Sequence, residues 1–379
     1  MPKSQLKKSK PKAERSNLFR RLLGLAARTW QRNLWNKVVI VVTVLVFSLV
    51  SCMYGIAQWY IFTHKDQPYQ IGVTFIPRYA RYLGVEPKET FQAILDDLKP
   101  TNVRLVSYWN DIEKERGTYD FSELDWQMDM AEKAGAKVSL AIGLRQPRWP
   151  ECHMPQWHLN QPKEVWYGDL KNVIGATVGR YKTHPALESY QLENEFFLSV
   201  FGECPDFSRD RLIDEYFYVK GLDADHPVII SRSNNAIGFP INEPQPDAFG
   251  VSVYKRVWDR TITRRYVEYP FPAWFYGFLA GGGKIITGKE LMIHELQAEA
   301  WTPDGMEIKT APVEELYKSM NPERLEGRFN YAKGSGIKRM DLWGAEWWYA
   351  MKVNRGEPEL WNTAVKEFDK ARQHNQELR

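Results

Sequence analysis

Two glutamates, Glu195 and Glu295, define the chemistry of this chain. Glu195 lies in Leu187–Phe197 (LESYQLENEFF) and Glu295 in Leu291–Trp301 (LMIHELQAEAW). Both stretches read as strands that end in a glutamate. Alternation along the first puts Gln191, Glu193 and Glu195 on one face. Polar side chains in a row on a buried strand are costly unless they are paired or used. Two carboxylates at strand ends are what an acid/base and a nucleophile require. The non-catalytic alternative is a polar barrel interior holding an ion pair.

The elements that must position them alternate from residue 69 onward. Strand patterns occur at Gln70–Pro77, Val103–Trp109, Lys137–Leu144, the Leu187 stretch, His226–Ser231, Asp247–Tyr254, Lys289–Glu295 and Lys338–Trp343. Between them, Pro87–Lys99 carries Phe91, Ile94, Leu95 and Leu98 on one helical stripe. Ser122 opens a second helix that Gly135 is placed to close, and Val165–Tyr181, Ser208–Lys220 and Glu357–Gln373 read as further helices. This α/β alternation predicts a (β/α)8 TIM barrel over residues 70–379. A doubly wound open sheet is the alternative, and no Gly-rich dinucleotide turn follows the first strand. Ser231–Pro246 has three prolines and no helical stripe, so the fifth crossover is expected to lack a proper helix.

The formal net charge of +4 hides a split. Residues 1–37 carry eleven Lys/Arg and one acid, a net +10, which leaves the remaining residues at −6. An acidic body argues against nucleic acid as its partner. Residues 38–62 are 25 positions without a charge, about 37 Å as a helix, which predicts a single transmembrane helix. Trp30 and Trp35 on one side and Trp59 and Tyr60 on the other resemble an interfacial belt. The basic flank, residues 1–37, predicts a cytoplasmic tail, so residues 63–69 form a linker and the barrel is extracytoplasmic at the cell membrane. Leu18, Leu22, Leu25, Ala26 and Trp30 fall on one helical side, fit for an anionic leaflet; a disordered tail is the alternative. A cleaved signal peptide has a shorter apolar core. A lipoprotein signal ending at Cys52 would not continue ten residues past the cysteine.

In order along the chain, several of these features resemble clan A retaining glycoside hydrolases, the set that includes cellulases, mannanases and β-galactosidases. They are Arg104 on the second strand, Tyr108–Trp126 after it, Pro147-Arg148-Trp149 after the third, Asn194-Glu195 ending the fourth, Tyr254 ending the sixth, Glu295 ending the seventh and Trp343 ending the eighth. The resemblance implies Glu195 as acid/base and Glu295 as nucleophile. It implies Arg104 and Tyr254 as hydrogen-bond donors to Glu295, Asn194 as a ligand of the sugar 2-hydroxyl, and Trp343 as the floor of the sugar site. Glu299, four residues beyond Glu295, is the rival nucleophile and is expected in the following loop. Cellulase-like members carry His-x-Tyr on the sixth strand, where this chain has Ser252-Val253-Tyr254. The implied partner is an oligo- or polysaccharide. A catalytically silent glycan-binding barrel and a transglycosidase share these residues as alternatives. Two carboxylates suffice for the chemistry, so no cofactor or metal is expected. Cys152, His153 and His158 lack a zinc-site spacing.

Cys152 and Cys204 follow adjacent strands, so a disulfide between them and two free buried thiols are both open. Tyr266–Leu279 is rich in aromatics and precedes Gly281-Gly282-Gly283. A core-packed helix and a surface dipping into the bilayer are its two readings.

Overall fold

The computed structural model describes residues 21, 30, 33–232 and 243–379. The chain divides into two compact units, Met1–Gly55 and Ile56–Arg379. The first is described chiefly by the start of an apolar helix, Leu34–His64, which is 31 residues long and apolar enough to cross a membrane. Its side chains from Val38 to Val50 are almost all exposed, as a helix without a protein partner there requires. The amphipathic reading of residues 18–32 lies outside the described residues, apart from Arg21 and Trp30.

The second unit is a closed barrel. Its strands are β1 (Gln70–Thr74), β2 (Asn102–Val106), β3 (Lys137–Ile142), β4 (Leu187–Leu192), β5 (Val228–Arg232), β6 (Ala248–Val253), β9 (Glu290–Gln297) and β10 (Arg339–Trp343). A short antiparallel hairpin, β7 (Arg256–Trp258) and β8 (Tyr266–Glu268), is inserted after β6. The hydrogen-bonded order is β1-β10-β9-β6-β5-β4-β3-β2, parallel throughout. The expected TIM barrel is therefore present, because each strand presents a buried face on both sides, one to the helices and one to the barrel interior.

Helices cover the outside. Pro87–Ala93 is capped by Glu86, whose carboxylate accepts from Glu89 N at 3.0 Å. It runs on as a wider turn over Ile94–Leu98 and stops at Lys99, which has φ 50°. Helix Pro322–Gly334 is capped by the Asn321 side chain. The fifth crossover lies largely in residues 233–242, outside the described residues.

One expectation changes. The fourth strand ends at Leu192, so Glu193 and Glu195 do not continue its alternation. Both adopt positive φ, 54° and 43°, and the chain turns at each. The aromatic stretch, open between two readings, is in part helical. After β8 it forms helix Ala273–Thr287, which takes in all three consecutive glycines. Glycines cost about 1 kcal/mol each in a helix. At Gly281 the use is close approach: a Cβ there would lie 2.9 Å from Ile56 Cγ2 and 3.1 Å from the Ile56 carbonyl. Gly277 and Gly336 likewise face Ile61, so Ile56–His64 is seated in a groove of glycines. Tyr60 and His64 of that segment reach Glu290, the first residue of β9, at 3.4 and 3.6 Å. Of Cys152, His153 and His158, Cys152 is in a disulfide and His158 bonds Asp169 at 2.9 Å.

Candidate active site

The C-terminal ends of the strands bring Arg104, Asn194, Glu195, Tyr254 and Glu295 together at one mouth. Arg104, on β2, is fully buried and acts as the hub. Its Nη1 donates to Glu295 Oε1 at 2.8 Å, Nη2 to Asn194 Oδ1 at 2.8 Å and Nε to Gln191 Oε1 at 2.6 Å. The Tyr254 hydroxyl donates to the other oxygen of Glu295, Oε2, at 2.9 Å. Burial and the facing Glu295 raise the Tyr254 hydroxyl well above the usual phenol range, so it remains a donor.

A one-residue bulge aims Glu295. Ile293 pairs with both Val251 and Met340, but the next pairs are Ser252 with Glu295 and Leu342 with Leu296. The extra residue lets His294 and Glu295 both reach the barrel interior, where strict alternation would alternate them. His294 packs beside Asp341 and Gly250, and its carbonyl accepts from Arg104 at 3.3 Å. Burial depresses the His294 imidazole, which is neutral at physiological pH.

Glu195 has different surroundings. Its backbone N donates to Ser231 Oγ at 2.9 Å. Burial first, then the charges of Glu295 and Glu151, push its carboxyl up to about 8. Neighbouring Asn194 has its amide orientation determined by partners. Its oxygen accepts from Arg104, from Gln191 Nε2 at 3.0 Å and from Ser231 Oγ at 3.3 Å, while its Nδ2 donates to Glu151 Oε2 at 3.0 Å.

Glu193 points elsewhere. Its carboxylate accepts from Leu144 N at 2.6 Å, Arg145 N at 3.0 Å and Arg211 Nη1 at 3.0 Å. Arg211 and Glu193 are both fully buried, and Arg211 also pairs with Glu215 and Asp206. Of the glutamates in LENE, one anchors the loop after β3 and the other faces the mouth.

Trp343 ends β10 with only 7% of its surface exposed, and the Arg148 guanidinium lies over its ring at 4.6 Å. Arg148 also stacks on Tyr79 at 3.2 Å and pairs with Glu299 at 3.1 Å. Glu299 lies in the loop beyond β9, with Arg148 as its ion-pair partner. Cys152 and Cys204 form a disulfide with Cα atoms 5.2 Å apart. It ties the loop after β3 to the loop after β4.

Glu151, Arg145, Ser231 and Gln191 complete the site, and of these only Gln191 stood out in the sequence. Glu151 sits in an irregular loop at φ 72°, where no periodicity marks a residue as buried.

A family model described as beta-galactosidase, glycoside hydrolase family 42, matches residues 85–171, a span that contains neither Glu195 nor Glu295. The comparison with curated proteins gave no match. Among solved structures, a polyextremophilic beta-galactosidase from the haloarchaeon Halorubrum lacusprofundi is similar at 13% identity and TM-score 0.54, covering 80% of this chain and 58% of that one. The exo-beta-1,4-mannosidase Op5Man5 from Opitutaceae bacterium strain TAV5 is similar at 14% identity and TM-score 0.53, covering 82% of this chain and 60% of that one. Xylanase 10B from Thermotoga maritima is similar at 14% identity and TM-score 0.50, covering 82% of this chain and 98% of that one. The chain thus spans about three fifths of the length of the first two. The likeness to these structures is one of fold, a closed (β/α)8 barrel.

Proposed function

We propose that the chain is a membrane-anchored retaining β-glycosidase that hydrolyses an extracytoplasmic glycan through Glu295 and Glu195. The observation that carries this reading is the contrast between the two carboxyls. Glu295 accepts from a buried guanidinium and a phenol. Glu195 has neither, and burial beside Glu295 keeps its proton to about pH 8. One carboxyl is thereby provided for as an anion and the other as an acid.

In the first step Glu295 attacks the anomeric carbon while Glu195 gives its proton to the departing glycosidic oxygen. The C–O bond to the leaving group breaks and a glycosyl ester of Glu295 forms. In the second, the Glu195 carboxylate takes a proton from water, whose oxygen attacks the anomeric carbon and releases Glu295. Arg104 and Tyr254 accept the returning charge. Asn194 Nδ2 donates to the sugar 2-hydroxyl, a contact that strengthens as charge develops in the ring. Helix Leu34–His64 and the basic residues before it support the anchor, with the N-terminus cytoplasmic.

The test uses full-length protein in detergent micelles against aryl β-glycosides and β-glycans, beside Glu195→Gln and Glu295→Gln. Both variants should lose at least about a thousandfold in kcat. Azide should restore an inverted glycosyl azide in the Glu295 variant and a retained one in the Glu195 variant. Full activity in the Glu295 variant would end the assignment of the nucleophile.

A further inference from the structure

Glu151 has no part in the two-step chemistry, yet it is 3% exposed and touches the site directly. Among the described residues its Oε2 is the one hydrogen-bond acceptor of the Asn194 amide nitrogen, at 3.0 Å. The remaining Asn194 N–H is left for substrate, because the Asn194 oxygen is already taken by Arg104, Gln191 and Ser231. Arg145 Nη2 lies 3.8 Å from Glu151 and has no hydrogen-bond partner among the described residues, so the cation compensates the carboxylate only at a distance. The Glu151 side chain is confined from outside. A Cβ on Gly202 would fall 2.8 Å from Glu151 Cβ, and the adjacent Cys152 is linked to Cys204. A carboxyl buried, enclosed and imperfectly neutralised is expensive to maintain for packing alone.

We propose that Glu151 is a third carboxyl of this site, a positioning residue that orients the Asn194 amide toward the sugar 2-hydroxyl and keeps negative charge beside Glu195. This rests on the glycosidase reading for the substrate contact, but not for the charge. The charged and titratable groups facing Glu195 are Glu295 from β9, Glu151 and Arg145 from the loop after β3, and Tyr254 from the end of β6. Those facing Glu151 are Arg145, Glu295, Glu195, Arg104 and Tyr108. Above the pH where Glu151 ionises, its charge opposes loss of the Glu195 proton. That extends the range in which Glu195 serves as acid.

The experiment compares full-length wild type, Glu151→Gln and Glu151→Asp in micelles. Infrared difference spectra across pH follow the protonated carboxyl band of Glu195, assigned by its absence in Glu195→Gln. The Glu195 midpoint should fall by about one pH unit in Glu151→Gln, and the alkaline limb of kcat/KM should move with it. Glu151→Asp keeps the charge but withdraws the oxygen from Asn194. It should retain the wild-type midpoint and lose about tenfold in its preference for a substrate over the 2-deoxy analogue. Should Glu151→Gln fail to fold by near-ultraviolet circular dichroism, the Glu151→Asp selectivity carries the test. An unchanged Glu195 midpoint together with unchanged 2-hydroxyl preference would overturn the proposal. A wild type that cleaves nothing would instead count against the glycosidase reading, while the infrared midpoints would still decide whether Glu151 acts on Glu195.

Discussion

Glu193 and Glu195 are two positions apart, and their replacement by glutamine should move stability in opposite directions. Glu193 is fully buried against Arg211 and accepts from two backbone N–H groups. A glutamine there turns an NH2 toward at least one of these donors and removes the counter-charge. Breaking a buried pair costs about 3–5 kcal/mol, and Arg211 retains Glu215 and Asp206, so about 3 kcal/mol is expected. For Glu195 the sign reverses. Its carboxyl titrates at about 8 when folded against 4.5 as a free side chain. The folded state therefore binds more protons than the unfolded state across that interval. Stability is full below the lower value and declines as pH rises toward the upper one. At neutral pH roughly 2.5 pH units of that interval have been crossed. At about 1.4 kcal/mol each, this makes the ionisable Glu195 a burden of about 3 kcal/mol. Glu195→Gln should then raise Tm by about 6 °C at pH 7, and Glu193→Gln should lower it by a similar amount, at about 2 °C per kcal/mol for a domain of this size. The assay is thermal unfolding followed by near-ultraviolet circular dichroism at pH 4.5 and pH 7. The Glu195→Gln gain should nearly vanish at the lower pH, where the folded wild type is protonated and the unfolded state is half protonated. A gain that persists at pH 4.5, or a common direction for both variants, would refute the division of labour in this segment.

Other outcomes follow from single contacts. Tyr254→Phe removes one donor to Glu295, leaving Arg104, and should cost about 10–100-fold in kcat while Tm changes by less than about 2 °C; steady-state kinetics on an aryl glycoside measure it. The alkaline limb of wild-type kcat/KM should fall near pH 8, where Glu195 loses its proton, and a limb below pH 6 would contradict the acid assignment. Gly281→Leu places side-chain atoms where Ile56 already lies, so it should release Ile56–His64 and expose the stretch before Gln70 to protease, seen as a new cleavage by mass spectrometry. Replacing both Cys152 and Cys204 by serine opens a link across 52 positions, worth about 4 kcal/mol on the chain-entropy account, and should lower Tm by about 8 °C.

The barrel was legible because its signals are periodic. Apolar runs bounded by turn residues marked the eight strands, although the predicted ends overran by three residues at Pro77 and Trp109 and by two at Leu144. Every overrun residue is buried beyond the strand end, and burial does not distinguish a strand end from a buried loop. Propensity is local and gives no reason for a helix through the glycines at 281–283. What Gly281 makes room for is the helix segment at Ile56 and Tyr60, more than two hundred positions away in sequence.

The sequence by itself determined the apolar N-terminal segment, the order of strands and the carboxylates at the strand ends, since each is written in composition or in a period of two or 3.6 residues. Tertiary structure alone decided which glutamates face one another. The positive φ at Glu193 turns one side chain out to Arg211, and the bulge after Ile293 turns Glu295 in to Arg104. Glu151 joins them only because the loops after β3 and β4 are tied together around it. Alternation fixes a side chain's direction only while the chain remains a regular strand. The chemistry of this barrel lies where the strands stop being regular.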